Sequence, residues 1–219
     1  MKRMNQRTRA VLLTAALAAV LAAICICGVL IPEKAVAGSY LEARLAPSLR
    51  HPFGTDALGR DLFLRTLKGL SVSLLIGAAA SVVSAAAAVL IGAAAAAGSR
   101  AVDAAVGWLI DLVMGVPHTI LIILISFTLG RGVKGLLVGI AATHWCSLAR
   151  LIRGEVMQLR TEPYAAISRR LGKSGGWVLR HHFLPHLVPQ FIVGLVLMLP
   201  HAILHEASVS FLGFGLPPE

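Results

Sequence analysis

Three titratable side chains lie close together in the apolar stretch "LPHAILHEASVSFLGFG", residues 199–215: His201, His205 and Glu206. On a helix, Met198, His201 and His205 share one face because they are three and four residues apart. Glu206 points about 100° away from His205. Imidazole is a good ligand for Ni, Cu, Zn and Co. The pattern allows three roles for the two histidines: lining a substrate path, transient metal ligation, or hydrogen bonding to neighbouring helices.

Asp111 and His118 are further ionisable residues in an apolar stretch. Seven residues apart, they share one helix face. Ionisable groups are costly inside a bilayer and usually face the interior of a helix bundle. We therefore expect Asp111, His118 and Met198 to line a substrate path, or Asp111 to mark the cytoplasmic end of a span near Asp103.

An intramembrane metalloenzyme built on His201, His205 and Asp111 is an alternative of another class. It would need a further fixed ligand and a positioned acid or base. The zincin pattern HExxH is absent, because in "HAILHE" the glutamate follows the second histidine.

The composition excludes a water-soluble globular domain. Of 219 residues, 57% are hydrophobic and 14% are charged, and no charge occurs in 10–31 or 70–99. About 20 apolar residues cross a bilayer as a helix, and no alternating strand pattern is present. The sequence predicts an all-α, polytopic membrane protein. Its net charge of +10 is explained by basic residues flanking the spans, so we expect no nucleic acid as a partner.

The apolar runs predict five spans, near 10–31, 70–98, 104–130, 133–150 and 187–207. The first run is longer than the apolar region of a signal peptide. We therefore expect it to be an uncleaved anchor.

Two polar segments divide these helices. We expect residues 1–69 to form an anchor span with an extracytoplasmic loop, and residues 70–219 to form a transmembrane domain with a cytoplasmic loop at 150–186. Basic residues at the N-terminus and in 150–186 favour a cytoplasmic N-terminus. Five spans would then place the C-terminus outside.

The loop at 150–186 is predicted to contain two short helices. Pro163 suits the first turn of a helix over 164–171, which glycines at 172, 175 and 176 would end. A second helix, 177–183, would run to a break at Leu184-Pro185. Such a knob could dock in the groove of a soluble partner.

A nucleotide cofactor is not expected. "GKS" at 172–174 resembles the tail of a phosphate-binding loop, but that pattern needs a glycine where Ile167 stands. The three cysteines have no metal-finger spacing.

Glycines alternate with charged residues in the first polar loop. This arrangement favours tight turns held by side-chain hydrogen bonds and an arginine–carboxylate pair. The residues of this extracytoplasmic motif are Gly54, Thr55, Asp56, Gly59, Arg60 and Asp61.

Four segments resemble the membrane subunits of binding-protein-dependent ABC importers. Gly172, nine residues and then "HFLP" have the spacing of that family's EAA loop, G-x9-I-x-L-P. "HPFGTDALGRD", "HWCSLARLIRGEVMQLR" and "EASVSFLGFGLPP" are similar to segments of its nickel, dipeptide and oligopeptide permease group. The sequence departs from the family at Ala166, where an acidic residue is usual. It also departs in having five predicted spans, because those permeases continue into a sixth.

The resemblance implies a type I ABC importer permease, multi-pass in the bacterial inner membrane and without enzymatic activity of its own. Its partners would be a second permease subunit, two ATP-binding subunits at the cytoplasmic loop, and an extracytoplasmic binding protein facing the first polar loop. Closure of the ATP-binding subunits would move the coupling helix and rock the spans. The coupling residues would be Tyr164, Arg169, Gly172, Leu184 and Pro185.

The predicted cargo is nickel ion or a nickel chelate, because the histidine pair resembles what a nickel-type permease would carry. Di- or oligopeptides are the alternative cargo. A passive channel is disfavoured, because it would have no use for a large coupling loop.

Overall fold

The computed structural model describes residues 5–216. The basic residues at positions 2 and 3 and the two prolines that close the last motif lie outside the described residues. The described part is mainly helical, and its β-structure is one isolated antiparallel bridge between Thr55 and Asp61. The prediction of an all-α fold is confirmed.

Nine helices are numbered in chain order within residues 5–216. A single 3₁₀ turn, Tyr40–Glu42, lies between the second and third helices, and a π-helical segment, Leu179–Phe183, between the last two. The helices are α1 Gln6–Leu30, α2 Glu33–Val36, α3 Leu62–Ala97, α4 Arg100–Met114, α5 His118–Thr128, α6 Gly132–Leu159, α7 Pro163–Arg170, α8 Gly175–Val178 and α9 Leu184–Phe211.

Four helical stretches are long and apolar enough to cross a membrane: α1, α3, α6 and the continuous stretch 175–211. The predicted third span, 104–130, is not one helix. It is α4 followed by α5, with a bend of 90° at residues 115–117. Pro117 has no backbone N–H to continue the ladder of α4, which explains the break.

Several predicted boundaries are wrong. Helix α3 begins at Leu62 instead of 70, and α6 continues past Arg150 to Leu159, because Arg, Leu, Glu, Met and Gln are strong helix formers. The predicted break at Leu184-Pro185 is absent. The chain passes from π-helix into α9 there, and Pro185 lies in the first turn, where its missing N–H costs little. Gly175 and Gly176 begin α8 instead of ending α7.

The chain divides into two compact units, one ending at Leu75 and the other beginning at Ile76. In the first unit, α1 packs closely on the start of α3. Gly28 permits this contact, because a side chain at that position would clash with Ser71 and the Leu67 carbonyl. In the second unit, α6 is central. Its buried residues, including Ile140, Cys146 and Ile152, contribute much of the core.

Helices α5 and α6 run antiparallel at very short separation. A Cβ on Gly135 would lie 2.8 Å from the Ser126 carbonyl oxygen, and one on Gly139 would lie 3.2 Å from that of Ile122. Small residues that let backbones approach are the usual basis of helix association in membranes. The two glycines therefore set how close α5 lies to α6.

We expect Gly135→Ala to destabilise the fold by about 1–3 kcal/mol, because the added methyl group must displace backbone of α5. A lower melting temperature of the purified protein in detergent would show this. Gly154→Ala is the matched control on α6, since nothing lies within 4 Å of its added Cβ. Equal melting temperatures for the two variants would contradict the close packing.

Candidate functional site

Three imidazoles from three helices meet in the second unit. The ring of His205 on α9 lies 5.1 Å from that of His144 on α6 and 6.3 Å from that of His118 on α5. The rings of His118 and His144 are 5.8 Å apart. We name these three residues the histidine cluster.

His144 is a member of this cluster that was not predicted from the sequence, whereas His118 and His205 were. The sequence signal that could have revealed His144 is the one shared by His118 and His205, an imidazole in an apolar stretch without charges. The antiparallel packing of α5 on α6 brings His118 beside His144, and α9 adds His205. The Nδ1 atom of His144 is 3.0 Å from the Ile140 carbonyl oxygen and 3.1 Å from the Thr143 hydroxyl, which fixes the ring against its own helix.

His201 lies one turn before His205 on α9 and is exposed, while the cluster itself is half-buried. Polar side chains in a membrane bundle face a water-filled cavity or another subunit in preference to lipid. Met198, by contrast, is buried in the core and does not share this exposed face. The face formed by His201 and the cluster is the candidate substrate-path surface.

The cluster is not a ready-made metal site. Among residues 5–216, no group of three or more His, Cys, Asp or Glu side chains is arranged to hold a metal ion. The predicted metal role of His201 and His205 therefore stays a hypothesis about cargo in transit.

Asp111 makes an ion pair with Arg150 of α6. Asp103 pairs with Arg153, with a second contact of 2.7 Å between Oδ2 and Nη2. Arg150 is six residues from His144, about 9 Å along the helix. This arrangement fits the alternative that placed Asp111 at the end of a span near Asp103.

Glu206 is buried on α9 and accepts a hydrogen bond of 2.9 Å from the Ser210 hydroxyl. The same hydroxyl accepts from the backbone N–H of Leu216 at 3.1 Å. Ser126 of α5 donates to the Phe214 carbonyl at 2.9 Å. Glu206 therefore helps to hold the turn after α9 against α5, and it does not face the histidine cluster.

The predicted helix after Pro163 is present as α7, and Gly172 follows it at φ +80°. That left-handed conformation favours glycine. The Ser168 hydroxyl lies 3.0 Å from Nε2 of His182, and the Tyr164 ring packs 5.3 Å from the same imidazole. Helix α7 is thus tied to the π-helical segment that leads into α9.

A cavity of about 610 Å³ lies beside α7. Burial, with Glu162 adding to it, raises the pKa of Tyr164 in its wall. Of the other predicted coupling residues, Arg169 and Pro185 are exposed, and Leu184 packs against the core. The cavity is lined by Glu155, Gln158, Leu159, Glu162, Tyr164, His181, His182 and His186.

The glycine-rich motif of the first unit forms a cross-braced loop. His51 Nδ1 lies 2.8 Å from Asp61 Oδ2, and Asp61 also accepts a hydrogen bond from the backbone N–H of Leu64 at the start of α3. Burial opposes the charged form of Asp61, but these hydrogen bonds outweigh it and lower the pKa of the carboxyl. His51, the first residue of the segment "HPFGTDALGRD", is therefore one of the braces of the motif.

The rest of the motif forms the turns around this brace. Gly54 and Gly59 have φ +72°, the conformation that tight turns require of glycine. Asp56 accepts hydrogen bonds from the Arg60 and Leu58 backbone N–H groups and pairs with Arg65 at 2.9 Å. The Arg60 N–H is the largest cause that lowers the pKa of Asp56. Thr55 joins the Glu42 carbonyl to the Leu45 N–H.

Comparison with known families identifies the second unit. The family described as "Binding-protein-dependent transport system inner membrane component" matches residues 88–218. The chain belongs to this family. The match includes the histidine cluster, α7 and the exposed face of α9, so all of these are parts of an inner-membrane transport component.

Curated relatives of this transport component are permeases. It is 34% identical to the dipeptide transport system permease protein DppC of Bacillus subtilis (strain 168) over 84% of the chain. It is also 34% identical to the oligopeptide transport system permease protein OppC of the same organism, over 81%. It is 36% identical over 79% to a putative peptide permease protein of Brucella abortus biovar 1 (strain 9-941). The chain spans only 57–58% of the length of these relatives.

The predicted resemblance to ABC importer permeases is confirmed, as is a multi-pass inner-membrane location. The curated relatives named above are transport permeases, in keeping with a transport component. Their names give no support to the predicted closeness to nickel-type permeases.

We expect Asp61→Asn to loosen the braced loop of the permease. Losing a hydrogen bond to a charged group costs about 1.5–3 kcal/mol, so tryptic cleavage after Arg44 and Arg50 should become at least about tenfold faster at neutral pH. The pKa of Asp61 is lower in the folded loop than its ordinary value of 3.8. Its contribution is therefore present above about pH 4 and lost as the pH falls through the folded pKa, where the cleavage rates of wild type and variant should converge. Pepsin is used for this low-pH comparison, because trypsin is inactive there.

Glu42→Gln is the control for cleavage after Arg44, because the structure shows its side chain in a largely exposed pair with Arg50 at 3.3 Å and such pairs contribute less than about 1 kcal/mol. If both variants are cleaved at the wild-type rate, the His51–Asp61 pair does not hold the loop.

Proposed function

We propose that the chain is the permease subunit of an ATP-driven importer of di- or oligopeptides. The observation that carries this proposal is the 34–36% identity to permeases named for peptides, across 79–84% of the chain. The proposed partners are a second permease subunit, two ATP-binding subunits, and an extracytoplasmic protein that delivers the peptide.

Helix α7 supports this proposal as the contact for the ATP-binding subunits. It is eight residues long and ends in Arg169 and Arg170, and it exposes Ile167, with the exposed Leu171 directly after its end. A short basic helix with exposed apolar residues suits docking into a groove. Because Ser168 and Tyr164 tie α7 to the segment entering α9, a push on α7 would reach the helix that carries His201 and His205.

The exposed face of His201 and the histidine cluster supports a substrate path along α5, α6 and α9. In the proposed importer, this face would turn towards the second permease subunit and the peptide between them. The imidazoles would offer hydrogen-bond donors and acceptors to a cargo that must also leave, for which weak contacts are suitable.

Nickel ion or a nickel chelate is the second candidate cargo. The position of His144 beside His118 and His205 favours this cargo, since imidazole is a suitable ligand for nickel. The relatives' names do not add to that support, and among residues 5–216 no group of three such side chains is arranged to hold a metal ion.

Uptake by proteoliposomes holding the complete transporter separates the two cargoes. With ATP and binding protein present, we expect saturable uptake of a radiolabelled dipeptide and no uptake of radioactive nickel at limiting concentration. Nickel uptake without peptide uptake would overturn the peptide proposal. Uptake of neither, with all subunits assembled, would overturn the importer proposal itself.

Gly172→Ala tests the coupling role of α7. A side chain at φ +80° costs about 1–2 kcal/mol, so we expect ATP hydrolysis to respond several-fold less to binding protein while assembly is kept. Gly176→Ala is the control, because that position is open and not in the left-handed region. Gly172→Asn should recover part of the response, since Asn tolerates this conformation. An unchanged response of ATP hydrolysis in Gly172→Ala would show that Gly172 only ends a helix and has no role in coupling.

A further inference from the structure

Helix α4 has an apolar outer side. Trp108 is 66% exposed and Leu112 is 53% exposed. On the same side lie three exposed alanines, at positions 101, 104 and 105. An exposed stripe of this kind, with a large aromatic residue at its centre, is unfavourable in water.

The inner side of α4 carries its attachments to the protein. Ile110 is fully buried, and Val106 and Val113 pack against the core. The carboxylates of Asp103 and Asp111 pair with two arginines of α6. Apart from Arg100 in its first turn, the charged residues of α4 thus pair with α6, and the apolar side of α4 is left outward.

The direction of α4 follows from its neighbours. Helix α5 runs alongside α6, with Ser126 at Gly135 and His118 near His144. Helix α4 makes an angle of 90° with α5, so it crosses α6 instead of following it. The ion pairs agree, because eight residues of α4, about 12 Å, are matched by only three residues of α6, about 4.5 Å.

The level of α4 along α6 is set by the same arginines. Between Lys134 and Arg150, α6 has no Asp, Glu, Lys or Arg over 15 residues, about 22 Å of helix. Arg150 is where this apolar stretch ends, and Arg153 and Arg160 follow on the same side. If α6 crosses the membrane, α4 lies at the edge of the hydrocarbon, at the basic end of α6.

We propose that α4 is an interfacial helix that lies in the plane of the membrane, with its outer side in the boundary between lipid headgroups and acyl chains. Trp108 suits this boundary, where tryptophan is enriched. In this orientation, lipid covers the apolar outer side of α4. The same orientation also makes α5, which is 11 residues or about 16 Å long, a partial span that packs on α6.

Spin labels placed singly at positions 101, 105, 108 and 112 of the full chain test this orientation. Cys25, Cys27 and Cys146 are first replaced by alanine, and the transporter is placed in lipid vesicles. Label depth is measured by collision with oxygen and with a water-soluble chromium chelate. We expect the four depths to agree within about 5 Å, one helical turn.

The control is a helix expected to cross the membrane. Labels at Val188, Ile192 and Val196, exposed on one side of α9, should give a steady ramp of about 12 Å. A ramp of about 16 Å along α4 would show that it spans the membrane and would overturn the proposal. Labels on α4 shielded from both reagents would also overturn it, because another protein surface would then cover the outer side.

Fluorescence gives a second measurement without labels on α4. In a variant with Trp145→Phe and Trp177→Phe, Trp108 is the remaining tryptophan. We expect lipids brominated near the headgroup to quench its emission more strongly than lipids brominated near the chain ends. The reverse order, or no quenching by either lipid, would contradict an interfacial α4.

Discussion

The close approach of α5 to α6 is the contact on which the second unit depends. Apolar helices gain little from leaving lipid for one another, so their association in a membrane relies on tight packing. Gly135 and Gly139 permit that packing by leaving room for the backbone at Ser126 and Ile122. The same contact brings His118 beside His144 and fixes the direction of α5, to which α4 makes an angle of 90°.

Helices α5 and α6 form an antiparallel hairpin, and the positions of charged residues around it follow the cost of burying a charge. The stretch of α6 that packs on α5 has no charge, and its arginines begin where α4 crosses. Beside that stretch, the described part of the hairpin keeps the imidazoles of His118 and His144. They can stay neutral and still form hydrogen bonds, which makes them tolerable in a bundle and useful to a passing solute. The proposed path and the proposed coupling helix are joined through α9, which begins beside α7 and carries His205.

The sequence predicted the helical class, the membrane location, the family and the helix after Pro163. Each of these rests on a local or additive signal: run length, charge position, motif spacing, or a proline at a first turn. It did not predict the 90° bend at 115–117, because hydropathy averaged over a window runs straight through a three-residue break. His144 was missed for another reason, since its meaning depends on two helices distant in sequence. Asp111 was open between two positions, and its ion pair with Arg150 of α6, which favours the end of a span, depends on a residue distant in sequence.

We propose that this family member serves a peptide importer, although His201 and His205 first suggested a metal. The proposal is tested by mass spectrometry of the binding protein that delivers cargo to this transport component, purified without added solute. We expect a mixture of bound di- or oligopeptides. A bound nickel ion or nickel chelate, with no peptide, would contradict it.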